Sequence, residues 1–147
     1  MKRRDFLALL GGAAAAWPLA ARAQQVSTRR PLVAVLSAIT RERNSPLNAF
    51  LQGMREFGYV EGQNIDIEYR VAEGRLERFP ALAEELVRLS PNVIVALVTP
   101  AAVATRALTH TIPIVCPLLA DPIHLGLIAS DSRPGGNVTG FCSAPKV

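Results

Sequence analysis

The sequence predicts an α/β fold in which a doubly wound parallel sheet carries helices on both faces. Short, wholly apolar runs at 32–36 and 93–98 are typical of strands that are buried on both faces. Amphipathic helical segments separate such runs, and this alternation produces parallel pairing through right-handed crossovers. The 147 residues, 50% of them hydrophobic and 19% charged, are sufficient for one packed domain.

Nine elements follow from the alternation of apolar runs and amphipathic segments. In chain order they are a strand at 32–36, a helix at 45–57, a strand at 65–69, a helix at 76–87, a strand at 93–98, a helix at 99–108, a strand at 114–116, a helix from 121 and a strand at 137–141. The continuous apolar runs predict central strands, whereas the alternating run 65–69 predicts an edge strand.

The helix boundaries have the clearest local signals. Three helices are predicted to begin with a capping residue followed by proline, namely Ser45-Pro46, Thr99-Pro100 and Asp121-Pro122. In the second helix Pro80 is compatible only with the first turn. Gly58 supplies a left-handed residue that ends the first helix.

The strand order expected for this alternation is 2-1-3-4-5, the flavodoxin-like order, in which the winding reverses between strands 1 and 3. The carboxyl ends of these two strands are where open α/β sheets bind ligands. The crevice is therefore expected between the loop Ser37–Asn44 and the turn Val98–Pro100. Helix N-termini here present amide groups and partial positive charge, although capping alone explains the same residue pairs.

No catalytic or metal-binding motif is found in the sequence. It has no G-x-G-x-x-G or Walker-type loop and no CxxC or HExxH pattern. His110 and His124 are isolated, Asp121 is a lone carboxylate, and no acid–base pair can be assembled. We therefore expect no enzyme activity, no metal and no cofactor. Cys116 and Cys142 lie on neighbouring predicted strands, where either a disulfide or two buried thiols would fit.

Residues 1–23 are typical of an export signal, with a basic start, a short apolar middle and the small-residue end Ala21-Arg22-Ala23. The alternative is a membrane anchor, but the apolar stretch is shorter than the roughly 20 residues that a span needs. Arg3-Arg4 favours the twin-arginine route over the general secretory route. We expect cleavage before Gln24 and a periplasmic location.

The formal net charge of +4 does not indicate a nucleic-acid partner. Lys2, Arg3, Arg4 and Arg22 against Asp5 account for three of these charges, which leaves one for residues 24–147. Because that remainder has no basic cluster, we expect no nucleic-acid binding.

Six further segments stand in a recognisable order along the chain. They are Phe57–Asn64, Ile65–Arg70, Ala72–Gly74, Thr111–Val115, Asp121-Pro122 with Leu125–Leu127, and Arg133–Gly140. Together they resemble the N-terminal part of the ABC-transporter substrate-binding proteins that have the type I periplasmic-binding fold. Leu97-Val98 departs from this pattern, since many relatives have glycines at these positions.

The resemblance implies an exported protein that binds a small organic solute, with aromatic amino acids as the associated class, and delivers it to an ABC permease. By position it implies ligand contacts from the loop after strand 1, the start of helix 3 and the loop after strand 4: Ser37, Ala38, Thr40, Thr99, Ala101, Ala102 and Asp121. At helix 3 we expect a ligand carboxylate to meet the amides of Ala101 and Ala102 and the hydroxyl of Thr99.

The resemblance also concerns domain organisation, because members of this family have two lobes. Residues 24–147 are expected to form the N-terminal lobe alone, truncated before the second lobe, and to self-associate through apolar surface left uncovered. Two alternatives remain open at this point: a remnant that binds nothing, and a flavodoxin-like enzyme domain.

Overall fold

The computed structural model describes residues 29–142, so the predicted export signal and its cleavage site lie outside the described residues. A compact unit begins at Pro31. The strands are β1 (Leu32–Ser37), β2 (Asp66–Val71), β3 (Val93–Ala96), β4 (Ile114–Leu119) and β5 (Val138–Cys142), and the helices are α1 (Ser45–Glu56), α2 (Phe79–Arg88) and α3 (Thr99–Leu108). None of the helices in this range is long and apolar enough to cross a membrane.

The strands form one parallel sheet in the order β2-β1-β3-β4-β5. This confirms both the predicted class and the predicted order. The edge position of β2 agrees with its alternating sequence, and its residues are half-buried or exposed. In contrast, β1 is central and is buried from Val33 to Ser37, as its continuous apolar run predicts.

Two helical layers cover the sheet, one on each face. On the two-helix face, α2 and α3 pack on alternate strand residues such as Leu36, Ile94 and Ile114. On the one-helix face, α1 packs through Leu47 and Leu51 on the intervening strand residues, Val33, Val35, Val95 and Leu97. Right-handed crossovers produce this division, because the chain moves one way from β1 to β2 and the other way afterwards.

The cap of α1 differs from the sequence prediction. Asn44, not Ser45, is the N-cap, and its Oδ1 accepts a hydrogen bond from the Leu47 amide at 3.0 Å. The Asn44 Nδ2 group also donates to Ser37 Oγ at 2.7 Å. The cap therefore connects the helix to the end of β1, which a surface Ser45 could not do.

The end of α1 and the start of α2 follow their local signals. Gly58 adopts a left-handed φ of 84°, and the Tyr59 amide donates to the Met54 carbonyl at 2.8 Å, which completes a Schellman motif. Pro80 lies in the first turn of α2, as predicted. The preceding residues Leu76–Arg78 form a single 3₁₀ turn instead of the predicted first turn of the helix.

The helix predicted to begin at Asp121-Pro122 does not form. The segment makes hydrogen-bonded turns, in which the amides of Leu125 and Leu127 donate to the carbonyls of Asp121 and Pro122 at 3.2 and 2.9 Å. Asp121 has a left-handed φ of 47° instead of the extended conformation of a helix cap. Gly126, at φ 67°, interrupts helical geometry again, so the Asp-Pro pair marks a turn here.

Strands β4 and β5 approach closely at Gly140. This residue lies opposite Cys116, where the register becomes irregular, and a Cβ on Gly140 would overlap the Cys116 carbonyl oxygen. Both cysteines are free, since Cys142 lies opposite Leu119 and not opposite Cys116. The disulfide alternative is therefore wrong. The buried-thiol alternative is right for Cys116 and wrong for Cys142, which is exposed.

Candidate ligand-binding edge of the sheet

An apolar groove lies among residues that follow the carboxyl ends of β3 and β4, and it has a volume of about 850 Å³. Its walls come from the 3₁₀ turn before α2 and the start of α2, from the start of α3 with the residue before it, and from the end of β4 with the segment after it: Leu76, Phe79, Pro80, Val98, Thr99, Pro100, Val103, Ala104, Leu118, Ala120, Asp121 and Leu125. Leu76, Leu118 and Leu125 are 53%, 43% and 49% exposed, so large apolar side chains here are open to solvent. Such a lining suits an apolar part of a ligand.

A smaller polar crevice, of about 530 Å³, lies between the ends of β1 and β2. It is lined by Ala38, Ile39, Thr40, Arg43, Glu73 and Gly74. The Gly74 amide donates to the Ala38 carbonyl at 2.8 Å, which continues the β1–β2 pairing beyond the strands. The crevice therefore has opposite charges, Arg43 and Glu73, supplied by two fixed segments.

The two charged side chains of the polar crevice differ in their partners. The Glu73 carboxylate forms ion pairs with Arg78 at 2.7 Å and Arg75 at 3.5 Å, and its backbone has a left-handed φ of 57°. Arg43 is exposed and forms no ion pair with any residue of the range 29–142. The crevice thus offers a guanidinium group that is able to bind a ligand carboxylate.

Thr40 carries a hydroxyl at this crevice. A hydrogen bond from the backbone amide of Glu42, and then one with the Thr40 side chain, lower the pKa of the exposed Glu42 carboxyl. The Thr40 hydroxyl is therefore in reach of a carboxylate within its own loop, and it lies next to Arg43 in the crevice lining.

Ser37 holds the loop after β1 through its side-chain hydrogen bonds. The residue is 2% exposed, and its Oγ donates to the Ile39 carbonyl at 2.6 Å while accepting from the Ile39 amide and from Asn44 Nδ2. A hydroxyl has one donor and two acceptor positions, so all of them are used. Ser37 shapes the loop, and no hydrogen-bonding capacity remains for a ligand.

Thr99 lies at the apolar groove, but it does not cap α3 as the sequence suggested. The N-cap is Val98, which makes no side-chain cap hydrogen bond. Instead, Thr99 Oγ1 donates to the Leu118 carbonyl at 3.0 Å and accepts from the Ala120 amide at 2.8 Å. Thr99 therefore connects the start of α3 to the end of β4 and to the residue that follows it.

The amides that were expected to bind a carboxylate at α3 are already occupied. Those of Ala101 and Ala102 both donate to the Val98 carbonyl, at 3.1 and 3.2 Å, and both side chains are fully buried in the core. The predicted convergence of these amides on a ligand is therefore absent. Asp121 is exposed at the groove, where it begins a turn and caps no helix.

The structure thus brings Ala38 and Thr40 to the polar crevice and Thr99 and Asp121 to the apolar groove. Sequence reasoning missed Arg43 and Glu73. The signal that could have identified them is position alone, since each follows the carboxyl end of a predicted strand, where ligands bind in such sheets. Within residues 29–142 no group of three or more His, Cys, Asp or Glu side chains is placed to hold a metal ion.

A parallel sheet with openings at its carboxyl edge is the architecture in which open α/β proteins bind ligands. A family model described as "ABC transporter substrate binding protein" matches residues 33–147, and the chain belongs to this family. A curated relative, the tyrosine-binding protein of Clostridioides difficile (strain R20291), is 34% identical over 91 residues, which are 62% of this chain and 26% of that protein.

Solved structures of substrate-binding proteins are also similar to this chain. A Streptococcus pneumonia ABC domain in complex with L-Trp aligns with a TM-score of 0.66 at 26% identity, covering 78% of this chain and 39% of that one. The ligand-free, open structure of a Clostridium difficile substrate-binding protein with adhesive properties aligns with a TM-score of 0.70 at 25% identity, covering 75% and 38%. The chain therefore spans well under half the length of these relatives.

Proposed function

We propose that this chain is the N-terminal lobe of an exported solute-binding component of an ABC uptake system, and that it binds an amino acid with a large apolar side chain without transforming it. The observation that carries the proposal is that an apolar groove and a crevice with one positive and one negative side chain both lie at the carboxyl ends of the strands. Two relatives, a tyrosine-binding protein and an ABC domain solved in complex with L-Trp, support the same ligand class.

In this proposal the charged crevice binds the two ionic groups of the amino acid. Arg43 receives the α-carboxylate, in place of the amides of Ala101 and Ala102. Glu73 faces the α-ammonium group, although Arg75 and Arg78 compensate part of its charge. The side chain of the solute then lies in the apolar groove, against residues such as Leu76 and Leu118.

The expected affinity of this lobe is low. Burial of a large apolar side chain is worth about 1.5–3 kcal/mol, and a hydrogen bond to a charged group adds about 1.5–3 kcal/mol. Micromolar binding requires about 8 kcal/mol, and association entropy adds a further cost. We therefore propose that a second lobe supplies the remainder in the complete receptor, and that this chain alone binds in the millimolar range.

The test is an NMR titration of the whole chain with L-tyrosine, L-tryptophan and, for contrast, L-glutamate. We expect millimolar shifts at the two openings with the aromatic amino acids, and about tenfold weaker binding in Arg43→Gln, since an interaction with a charged group is worth about 1.5–3 kcal/mol. Arg133→Gln, which changes an exposed arginine before β5, is the matched control. Absence of shifts with all three amino acids would support the remnant alternative and contradict the proposal.

Export is the other part of the proposal, and it rests on residues 1–23. The mature protein should begin at Gln24, which mass spectrometry of a periplasmic fraction would detect. Replacing Arg3-Arg4 by Lys-Lys should block export if the twin-arginine route is used. Recovery of the intact N-terminus in the membrane fraction alone would instead indicate an anchor.

A further inference from the structure

We infer that Arg41 is a positioning residue that fixes the crevice loop, defined as residues 38–44, in its binding conformation. The inference rests on the proposed function, since this loop carries Thr40 and Arg43. Arg41 does not line the crevice itself; its side chain contacts two other segments of the chain.

Arg41 is part of a three-residue cluster. Its Nη2 atom lies 3.0 Å from Glu61 Oε2, and its guanidinium carbon lies 5.1 Å from the centre of the Tyr69 ring. The cluster is closed by the Tyr69 hydroxyl, which donates to the same Glu61 oxygen at 3.4 Å. The crevice loop is thereby attached both to β2 and to the segment that precedes it.

Only an arginine makes both contacts of this cluster well. Its guanidinium carbon lies over the Tyr69 ring while its Nη2 atom pairs with the Glu61 carboxylate, whereas the compact ammonium of a lysine cannot occupy both places at once. Burial first, and then the charge of Glu61, raise the pKa of Tyr69 to about 12. The phenol is protonated at neutral pH, as an unshifted tyrosine also would be, and the raised pKa keeps it a donor to Glu61 into alkaline solution.

The position of Arg41 is transmitted to Arg43 through the short 3₁₀ turn that both residues share. The Arg43 amide donates to the Thr40 carbonyl, and the Asn44 amide donates to the Arg41 carbonyl, each at 3.2 Å. A shift of Arg41 therefore turns the backbone that carries Arg43.

The crevice loop is attached in two different ways. On the inside, the Asn44 side chain donates a buried hydrogen bond to Ser37, and the Gly74 amide donates to the Ala38 carbonyl. On the outside, the partly exposed Arg41–Glu61–Tyr69 cluster holds the turn between Ser37 and Asn44. We expect loss of the outer attachment to leave the fold intact and to free only the turn that carries Thr40 and Arg43.

The experiment compares Arg41→Met and Arg41→Lys with Arg88→Met in the whole chain. Arg88 is an exposed arginine that pairs with Glu84 on α2, so its loss removes a surface ion pair away from the crevice loop. The measurements are thermal unfolding, amide hydrogen exchange of residues 38–44 and NMR titration with L-tyrosine.

In Arg41→Met we expect the loop amides to exchange about tenfold faster, since local opening is governed by local contacts. Affinity for L-tyrosine should fall about fivefold, while the midpoint of unfolding stays close to that of Arg88→Met. Arg41→Lys should give intermediate exchange, because one ammonium group can keep the ion pair with Glu61 but not the contact with the Tyr69 ring at the same time. Arg88→Met should change neither exchange in the loop nor affinity.

Unchanged exchange of the loop amides in Arg41→Met would overturn the inference, whatever the affinity. Faster exchange with unchanged affinity would also overturn it, because the loop conformation would then not matter for binding. A wild-type chain that binds no amino acid would overturn the proposed function instead, and loop exchange would then decide alone whether Arg41 holds the turn.

Discussion

The two faces of the sheet are covered to different extents. On the two-helix face the core continues from Leu36 on β1 to Val138 on β5. On the one-helix face the core around α1 reaches only as far as β3, at Val95 and Leu97. Phe141, which strand alternation assigns to the one-helix face of β5, is 78% exposed.

The direction of the crossovers explains this difference. The connection from β1 to β2 places α1 on the one-helix face. The connections from β2 to β3 and from β3 to β4 place α2 and α3 on the other face. Within residues 29–142, therefore, no helix covers the one-helix face of β4 and β5. Stability should depend mainly on the two-helix face, and intermolecular contact should depend on the uncovered half.

The largest expected loss of stability comes from replacing one buried leucine on each face of the sheet by alanine. Leu86 on α2 is fully buried and Leu51 on α1 is 6% exposed. Leu→Ala substitutions cost about 2–5 kcal/mol, with the larger losses where the cavity cannot collapse. In urea unfolding, the loss in the free energy of unfolding should be about 5 kcal/mol for Leu86→Ala and about 2 kcal/mol for Leu51→Ala. Equal losses would show that the faces contribute alike.

Replacing glycine by alanine should destabilise the protein where the backbone is crowded, at Gly140, and not where space is open, at Gly53. Gly140→Ala must move β5 away from the Cys116 carbonyl, and such overpacking costs about 1–3 kcal/mol. Gly53→Ala on α1 meets no atom within 4 Å and should stabilise by up to about 1 kcal/mol, since alanine is the better helix former. Calorimetric melting of both variants measures the contrast. A neutral Gly140→Ala would mean that the β4–β5 pairing adapts freely.

Self-association tests the uncovered half of the one-helix face. We expect the chain to associate at micromolar concentration and Phe141→Ser to weaken this by at least about tenfold, because burial of a Phe side chain is worth about 1.5–3 kcal/mol. Phe57→Ser, at a position that is 84% exposed beside the end of α1, is the control. Analytical ultracentrifugation gives the constants, and a wild-type monomer at these concentrations would contradict the prediction.

The smallest expected effect concerns the cap of α1. Asn44→Ala should cost about 0.5–2 kcal/mol, because it removes the bond to the Leu47 amide and leaves Ser37 without one donor. Ser45→Ala should stay within about 0.5 kcal/mol, since that exposed residue caps nothing. Chemical denaturation of the two variants distinguishes these values. A larger loss of stability in Ser45→Ala than in Asn44→Ala would show that Ser45 is the N-cap, as the sequence predicted.

The sheet could be predicted from sequence because apolar runs and helical spacing report burial directly, as in Val33–Leu36 on β1. Helix starts were harder, since Asn44 and Ser45 are both good caps and only the tertiary bond to Ser37 decides between them. The predicted fourth helix failed because the left-handed backbone of Asp121 is set by the turn that it begins, not by its residue type.

The candidate site was predictable as a region and not as a set of groups. Thr40 and Thr99 do lie at the two openings, as their places after β1 and β3 suggested. Whether a hydroxyl or amide is free depends on its neighbours, and those of Ser37 and Ala101 are used inside the protein. Arg43 lies in the loop Ser37–Asn44 and Glu73 in the segment Ala72–Gly74, both of which the sequence indicates as regions, but neither side chain has a residue type or spacing that marks it as a ligand contact.

The left-handed backbones of Glu73 and Asp121 have a consequence for engineering this protein. A non-glycine residue in this conformation costs about 1–2 kcal/mol, and both residues carry carboxylates at the candidate edge. A directed-evolution screen for heat resistance alone should therefore favour glycine at both positions. Such a screen would remove two negative charges from the edge, so thermostable variants should be selected with the solute present.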